Sequence, residues 1–161
     1  MTDDPQKIGE TVQGTVYPRR RAVHSDPNEH SVEQEALPPA IAQTPMEQKS
    51  PAEWAYQRLI LYIQNFEKML DAEHEVAMGF TDTGGGFLRI EGLGHFDPDI
   101  VTFYGQDQTG AKVQLVQHVS QLNVLLRAMP KENTSEAPRR IGFQLAAGLE
   151  EDAQAVSEDQ G

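Results

Sequence analysis

The clearest pattern of hydrophobic and polar positions along the chain begins at residue 50. Ser50 is a favourable helix N-cap, Pro51 stands at the first helical position, and Glu53 completes a capping box. Apolar side chains then recur at three- and four-residue spacing at Ala55, Leu59, Tyr62, Ile63, Phe66 and Leu70. This spacing predicts an amphipathic helix of about five turns that ends near Asp71.

After this helix the apolar positions alternate with a period of two. The alternation predicts four strands, which short turns join into an antiparallel meander. They span residues 76–80, 87–93, 100–104 and 111–116. Helical spacing then resumes at Leu115, Val119, Leu122, Leu126 and Met129. It predicts a second helix that Pro130 ends, and the alternating run at 141–145 predicts a final strand.

These elements predict an α+β fold: N-terminal helix, antiparallel β-meander, second helix and final strand. Composition adds flanks to this core. Residues 1–49 hold six of the ten prolines and one aromatic, Tyr17, so they predict a disordered arm. The other ten aromatics lie in residues 50–147, which predict a single α+β domain. Residues 148–161 carry five acidic and no basic side chains and predict an acidic disordered tail.

The charge balance and the missing cysteines exclude several classes of function. The formal net charge of −12 makes the average surface repel phosphate groups, so nucleic acid is not an expected partner. The absence of cysteine excludes disulfides and zinc–thiolate sites. Because no apolar run spans a bilayer and Met1–Glu10 lacks a signal-peptide pattern, we expect a cytoplasmic protein with no membrane partner. No common cofactor motif is present, and no cofactor is expected.

Four stretches of the core together resemble a bacterial family known only as a domain of unknown function. They are residues 50–56 (SPAEWAY), 62–67 (YIQNFE), 96–105 (FDPDIVTFYG) and 115–122 (LVQHVSQL). The resemblance covers about residues 50–146. It implies that this region is one unit, and it implies no activity, cofactor or catalytic residue.

The first helix carries apolar side chains outside its main stripe, which suggests an interaction surface. Trp54, Tyr56, Ile60 and Leu61 are the candidates, because aromatic and aliphatic anchors of this kind carry interface energy. They could instead pack around the sheet. The leading hypothesis is a small acidic protein-interaction or regulatory module, not an enzyme, that binds another protein or a second copy of itself as a homo-oligomer.

A metal-dependent hydrolase or metal-binding domain is the alternative. His95, Asp97 and Asp99 stand at alternate positions, so an extended segment would direct them to one side, and His118 could join them. Alternatively, the two aspartates could satisfy backbone amides of a turn fixed by Pro98. Position decides between these alternatives, because a shared site requires His95 and His118 to lie on the same side of the sheet.

An amide-rich stretch provides a second set of candidates for polar recognition. Its members are Gln114, Gln117, His118 and Gln121. The same groups could instead satisfy the backbone at the end of a strand or the start of a helix. RNA binding, a third possibility, would require the basic side chains of the core to gather on one face. These are Arg58, Lys68, Arg89, Lys112 and Arg127.

Overall fold

The computed structural model describes residues 32–80 and 86–159. Its helices are α1 (Pro39–Ala42), α2 (Pro51–Lys68) and α3 (Ile141–Asp159), with short 3₁₀ helices at Val32–Gln34, Met46–Gln48 and Val119–Gln121. Its strands are β1 (His74–Phe80), β2 (Phe87–Phe96), β3 (Ile100–Gln106), β4 (Lys112–His118) and β5 (Val124–Pro130). The α+β class, the first helix and the four-strand meander are confirmed. Residues 1–31, most of the predicted arm, lie outside the described part of the chain.

The five strands form one antiparallel sheet in the order β4-β3-β2-β1-β5. The two edge strands are consecutive in sequence, and only residues 119–123 connect them. Four strand spacings in a flat sheet amount to about 19 Å. A link containing a 3₁₀ helix reaches only about 16 Å. The sheet must therefore be strongly curled, so that β5 returns to β1 while β4 remains beside β3.

Strand β2 is where the sheet bends. Its first residues pair with β1, through Met78↔Leu88 and Gly79↔Phe87, and the rest pairs with β3. The β2–β3 register shifts between Ile90 and Gly92, and such a bulge bends a strand. Gly105 lies opposite the bulge, where an added Cβ would stand 2.1 Å from the Arg89 carbonyl oxygen. Only glycine fits this close approach of the two backbones.

The hydrophobic core lies between the curled sheet and the helices. Alternate residues of the strands, with Val101 and Phe103 fully buried, point towards α2 and define the inner face of the sheet. The Phe80 and Phe103 rings meet edge to face, with their centroids 4.9 Å apart. Small residues of α2, Ala52 and Ala55, let its backbone approach this face. The intervening strand residues form the outer face, away from the core.

The predicted second helix is wrong, because residues 115–129 form the end of β4, a 3₁₀ helix and most of β5. The four-residue steps Leu115–Val119 and Leu122–Leu126 fit a period of two as well as a helix. The three-residue step between Val119 and Leu122 falls in the 3₁₀ helix, not in an α-helix. The apparent helical spacing is therefore two strand patterns joined across a turn.

The predicted final strand is also wrong, because residues 141–145 open helix α3. Ile141 and Leu145 do share a face, but as i and i+4 neighbours of a helix that pack on the core. The helix continues to Asp159 through the predicted disordered tail. Alanine, leucine, glutamate and glutamine predominate in this stretch, and their high helix propensity is compatible with an exposed acidic helix.

Helix α3 packs along α2 in the opposite direction. At one end, both carboxylate oxygens of Glu67 accept the Gly142 amide, at 2.9 and 3.0 Å. At the other end, burial and then the negative charge of Asp152 raise the pKa of Tyr56. Arg140 fixes the entry to α3 by donating to the carbonyl oxygens of His74 and Asp71, at 2.7 and 2.8 Å. None of the helices within residues 32–80 and 86–159 has the length and apolar character needed to cross a membrane.

Replacing Gly142 with alanine should weaken this helix packing. An added Cβ would lie 2.7 Å from a Glu67 carboxylate oxygen and 2.8 Å from the Gln64 backbone. We expect Gly142→Ala to lower the free energy of unfolding by about 1–3 kcal/mol in chemical denaturation. Gly148→Ala is the matched control in the same helix, because nothing lies within 4 Å of its added Cβ. It should raise stability by about 0.5–1 kcal/mol, and equal losses in both variants would contradict close packing at Gly142.

Glu67 should give stability a specific pH dependence. Burial raises its pKa above 4.5, against the opposing effects of the α3 amides and Arg140. The folded state therefore holds the proton more tightly than the unfolded chain, and this contribution to stability is lost as the pH rises above 4.5. Hydrogen bonds lower the pKa of Asp71, Asp97 and Asp107. These three groups have the opposite effect, because the stability they contribute is lost as the pH falls below 3.8.

We therefore expect the stability of the wild-type chain, relative to that of Glu67→Gln, to fall as the pH rises from about 4.5 to 7. The substituted amide side chain does not titrate, so subtracting the two unfolding curves isolates this carboxyl group. A difference that stays constant over this range would contradict the raised pKa.

Candidate binding surface

The surface predicted on the first helix exists but is covered by the chain itself. Trp54 and Tyr56 are half-buried, whereas Ile60 is fully buried and Leu61 nearly so. We call residues 32–49 the docked arm, because α1 contacts α3 and the 3₁₀ helix Val32–Gln34 contacts α2. Leu61 borders a small cavity whose opposite wall is formed by the docked arm. The prediction that Ile60 and Leu61 form a free interaction surface is therefore wrong.

Polar contacts at both ends hold the docked arm in place. The buried Lys49 ammonium donates to the Ile41 carbonyl oxygen and, at 2.7 Å, to the Gln57 side chain. It also lies 4.6 Å from the centre of the Trp54 ring, which gives a cation–π contact. At the other end, the Tyr62 hydroxyl donates to a Glu33 carboxylate oxygen. Burial and this bond raise the pKa of Tyr62 to about 12.

The apolar anchor of the docked arm is Ile41, which is buried. The arm was predicted to be disordered because prolines break its pattern. Three short helices, each too brief to show a period, order residues 32–49 instead.

His95 and Asp97 form one pair, on the inner face beside the start of α2. Their side chains meet at 3.0 Å between Nδ1 and Oδ1, and the His95 ring packs against Tyr56 with centroids 5.0 Å apart. The Ser50 hydroxyl accepts the Glu53 amide at 3.0 Å and donates to the same Asp97 oxygen. The Ser50 hydrogen bond, followed by His95, lowers the pKa of Asp97. This group fixes the start of α2 on the β2–β3 turn.

His118 and Asp99 form a separate pair, 3.2 Å apart between Nε2 and Oδ2. In the register, Ile100 pairs with both His118 and Phe96, whereas His95 pairs with Val101. Because Val101 belongs to the inner face and paired residues share a face, the two histidines lie on opposite faces. The predicted shared site of His95, Asp97, Asp99 and His118 is therefore wrong. Within the described residues no three histidine or acidic side chains are grouped so that they could hold a metal ion.

The amide-rich stretch is divided between the two faces as well. The Gln121 side chain accepts the His118 amide at 3.0 Å and completes a capping box for the 3₁₀ helix. Gln117 is buried on the inner face beside Val101, and its Oε1 has no hydrogen-bond partner among residues 32–80 and 86–159. Of the four predicted residues, Gln114 and His118 lie on the outer face. The backbone-capping alternative therefore accounts for Gln121 and His118.

The outer face carries several exposed apolar side chains on β2, β3 and β4. Phe96 is 76% exposed, Val116 57% and Tyr104 41%. The register places them on three successive rows of the same face, since Phe96 pairs with Ile100, and Val116 pairs with Thr102 between the Ile100 and Tyr104 rows. We call Phe96, Ile100, Tyr104 and Val116 the outer patch. Helix α2 packs on the opposite face of the sheet, so within the described residues the outer patch is an apolar surface open to a partner.

Sequence reasoning missed the outer patch because it ended the second strand at Leu93, before Phe96, and gave no register for Val116 of the fourth strand. The signal was nevertheless present, since Phe96, Ile100 and Tyr104 fall at strand positions opposite to Val101 and Phe103. An alternation in which both sets of positions are apolar indicates a sheet with two hydrophobic faces.

Charged groups flank the outer patch at both ends of the strands. The Asp99–His118 pair lies at the Phe96 end, next to Asp97. At the other end, Glu91 accepts from the Gln106 amide at 2.8 Å and from Lys112 at 3.3 Å. An exposed apolar centre with a charged rim is the usual arrangement of a protein interface.

The basic side chains of the core are dispersed and mostly engaged. Arg89 bridges Glu75 and Glu132, each at 3.0 Å. Arg58 lies over the Trp54 ring, and Arg127 over the Phe87 ring. This distribution gives no support to a phosphate-binding face, which would need these charges gathered together.

Comparison with known protein families matches residues 45–144 to the family described as "Family of unknown function (DUF6173)". The chain belongs to this family. No curated protein and no solved structure matches the chain. The matched region agrees with the resemblance over residues 50–146. It contains the whole sheet, α2 and the outer patch, but only the first turn of α3.

The two segments that cover α2, the docked arm and α3, lie largely outside the matched region. Residues 32–44 of the docked arm and residues 145–159 of α3 fall beyond it. The outer patch, in contrast, lies within the matched region. The matched region therefore contains both the outer patch and the side of α2 that the docked arm and α3 cover.

The docked arm should detach when its apolar anchor is removed. Ile41→Asp places a charge at a buried position and should cost at least about 2 kcal/mol of docking free energy. We expect amide hydrogen exchange in residues 32–49 to accelerate at least about thirtyfold while exchange in the sheet stays slow. The neighbouring exposed Ala42→Asp is the control. Slow exchange of the arm in Ile41→Asp would show that Ile41 is not the anchor.

Proposed function

We propose that this chain is a small acidic protein-interaction module that self-associates through its outer patch. The observation that supports this proposal is the 76% exposure of Phe96 on the same face of the sheet as the exposed Val116 and Tyr104. Burying an exposed aromatic side chain releases free energy in proportion to the apolar area removed from water. Phe96 is therefore the expected main anchor, with Ile100 beside it on the neighbouring strand.

A second copy is the partner that the rim favours. When a two-fold axis perpendicular to the strands relates two outer faces, the facing strands of the two copies run in opposite directions. Each copy then contributes the same residues to the interface. The end of one copy that carries Lys112 and Glu91 then meets the end of the other that carries Asp99 and His118. Opposite charges at the rim fix the orientation and contribute little affinity, so the apolar centre must supply most of it.

The hydrolase alternative has no comparable support. A metal-assisted reaction needs ligands that converge, and the sheet separates His95 from His118. Asp97 and Asp99 are each occupied by structural hydrogen bonds, with Ser50 and His118 respectively. The outer patch supports the binding hypothesis, because a partner could reach it without any rearrangement of the chain.

Val116→Asp should weaken self-association of the full chain. A carboxylate in the centre of an apolar interface loses its hydration, so we expect the dissociation constant to rise at least about tenfold. Light scattering coupled to size-exclusion chromatography over a range of protein concentrations measures this change. Phe96→Ala should act in the same direction.

Val156→Asp is the matched control for Val116→Asp. Val156 is 60% exposed, close to the 57% of Val116, but it lies on α3, far along the chain from the sheet. It should leave the molar mass unchanged at every concentration. A wild-type chain that stays monomeric throughout, or equal effects of the two variants, would contradict the outer patch as the interface.

A further inference from the structure

A pocket of about 310 Å³ opens at the end of the sheet opposite to Phe96. It lies between the end of β1, the start of β2 and the β3–β4 turn. Its lining is mostly apolar, with Phe80, Phe87, Leu88, Val113 and Leu115, and the turn adds Asp107, Gln108 and Thr109. The Arg127 guanidinium lies 4.4 Å from the centre of the Phe87 ring, a cation–π contact that holds this wall.

The rim of the pocket carries one fixed negative charge. Asp107 is the only charged residue among the described residues that line it. Its Oδ1 accepts the Thr109 amide at 2.8 Å, the Thr109 hydroxyl at 2.6 Å and the Ala111 amide at 3.0 Å. The Thr109 hydroxyl bond, followed by the backbone bonds, lowers the pKa of Asp107, so the carboxylate stays ionised at neutral pH. Because the three donors converge on Oδ1, the position of the carboxylate at the rim is also fixed.

We infer that this pocket binds a small aromatic amine, whose ring enters the apolar interior while its ammonium group meets Asp107 at the rim. Ligand sites are typically apolar concavities of this size with a few placed polar groups. A closed cavity of about 150 Å³ accommodates benzene, so the larger pocket has room for a ring and a short side chain. An anion of the same shape would meet the Asp107 charge unfavourably.

The pocket is independent of the proposed self-association. The outer patch lies at the other end of β2–β4, and none of its four residues lines the pocket. Binding of the amine is therefore expected for a monomer and for an oligomer alike.

The test uses the full chain, labelled with ¹⁵N, and titrates it at pH 7 with 2-phenylethylamine. Saturable amide shifts are expected at Leu88, Thr109, Val113 and Leu115, which line the pocket. Phenylacetate, which has a similar ring and the opposite charge, should bind at least about threefold more weakly. Equal affinity for the two compounds would overturn the assigned role of Asp107 and with it the class of ligand.

Two variants test separately how the charge of Asp107 and the volume of the pocket contribute to binding. Asp107→Asn keeps an oxygen that accepts the turn amides but removes the charge, so 2-phenylethylamine should bind about two- to fivefold more weakly and lose its advantage over phenylacetate. Val113→Phe fills the pocket and should abolish binding of both compounds. Val156→Phe, on α3, should leave both affinities unchanged.

The inference fails if no saturable shift is found with the wild-type chain, or if the shifts persist in Val113→Phe. Amide spectra of Val113→Phe without ligand show whether that variant is folded. If it is not, unchanged discrimination between the two compounds in Asp107→Asn would still overturn the inference.

Discussion

The contact between the Glu67 carboxylate and the first turn of α3 fixes the arrangement of the helices. A buried carboxylate is costly unless hydrogen bonds compensate it, and the first amides of a helix have no partners within the helix. The Glu67 carboxylate therefore gains a hydrogen-bond donor, and the Gly142 amide gains an acceptor. Gly142 makes the contact possible, because any side chain there would strike α2. Arg140 secures the approach, so α3 begins at one place and can lie along α2 only in one direction.

This constraint determines which parts of the chain cover the apolar surface of α2. With α3 along one side and the sheet beneath, only a narrow strip that includes Ile60 and Leu61 remains. The docked arm closes it, with Ile41 as the apolar anchor and Lys49 and Tyr62 as polar contacts. The helix that looked too apolar for its length is therefore surrounded by its own chain. Among the described strands, the outer face of the sheet keeps exposed apolar side chains such as Phe96 and Val116.

Local signals predicted the parts of the fold that local physics controls. The Ser50 N-cap is present, since its hydroxyl accepts the Glu53 amide, and the alternation of the meander strands was sufficient to find them. The second half was misassigned because four-residue steps such as Leu115–Val119 satisfy both periods, and because α3 begins with an alternating apolar run. Sequence spacing alone does not state whether Ile141 and Leu145 share a strand face or a helix face. The packing against Glu67 decides this, and that contact spans 75 residues.

The candidate sites show the same division between local and long-range information. The register of β2–β4 turns His95 and His118 away from each other, although alternate spacing placed His95, Asp97 and Asp99 on one side. A one-residue offset in a strand reverses the face of a side chain, so a site that spans two strands depends on register as much as on residue type. The same rule brings Phe96, Ile100 and Val116 together from three strands. Their common face is a property of the sheet, because Val101 and Phe103 occupy the inner positions, on which the helices in the described part of the chain pack.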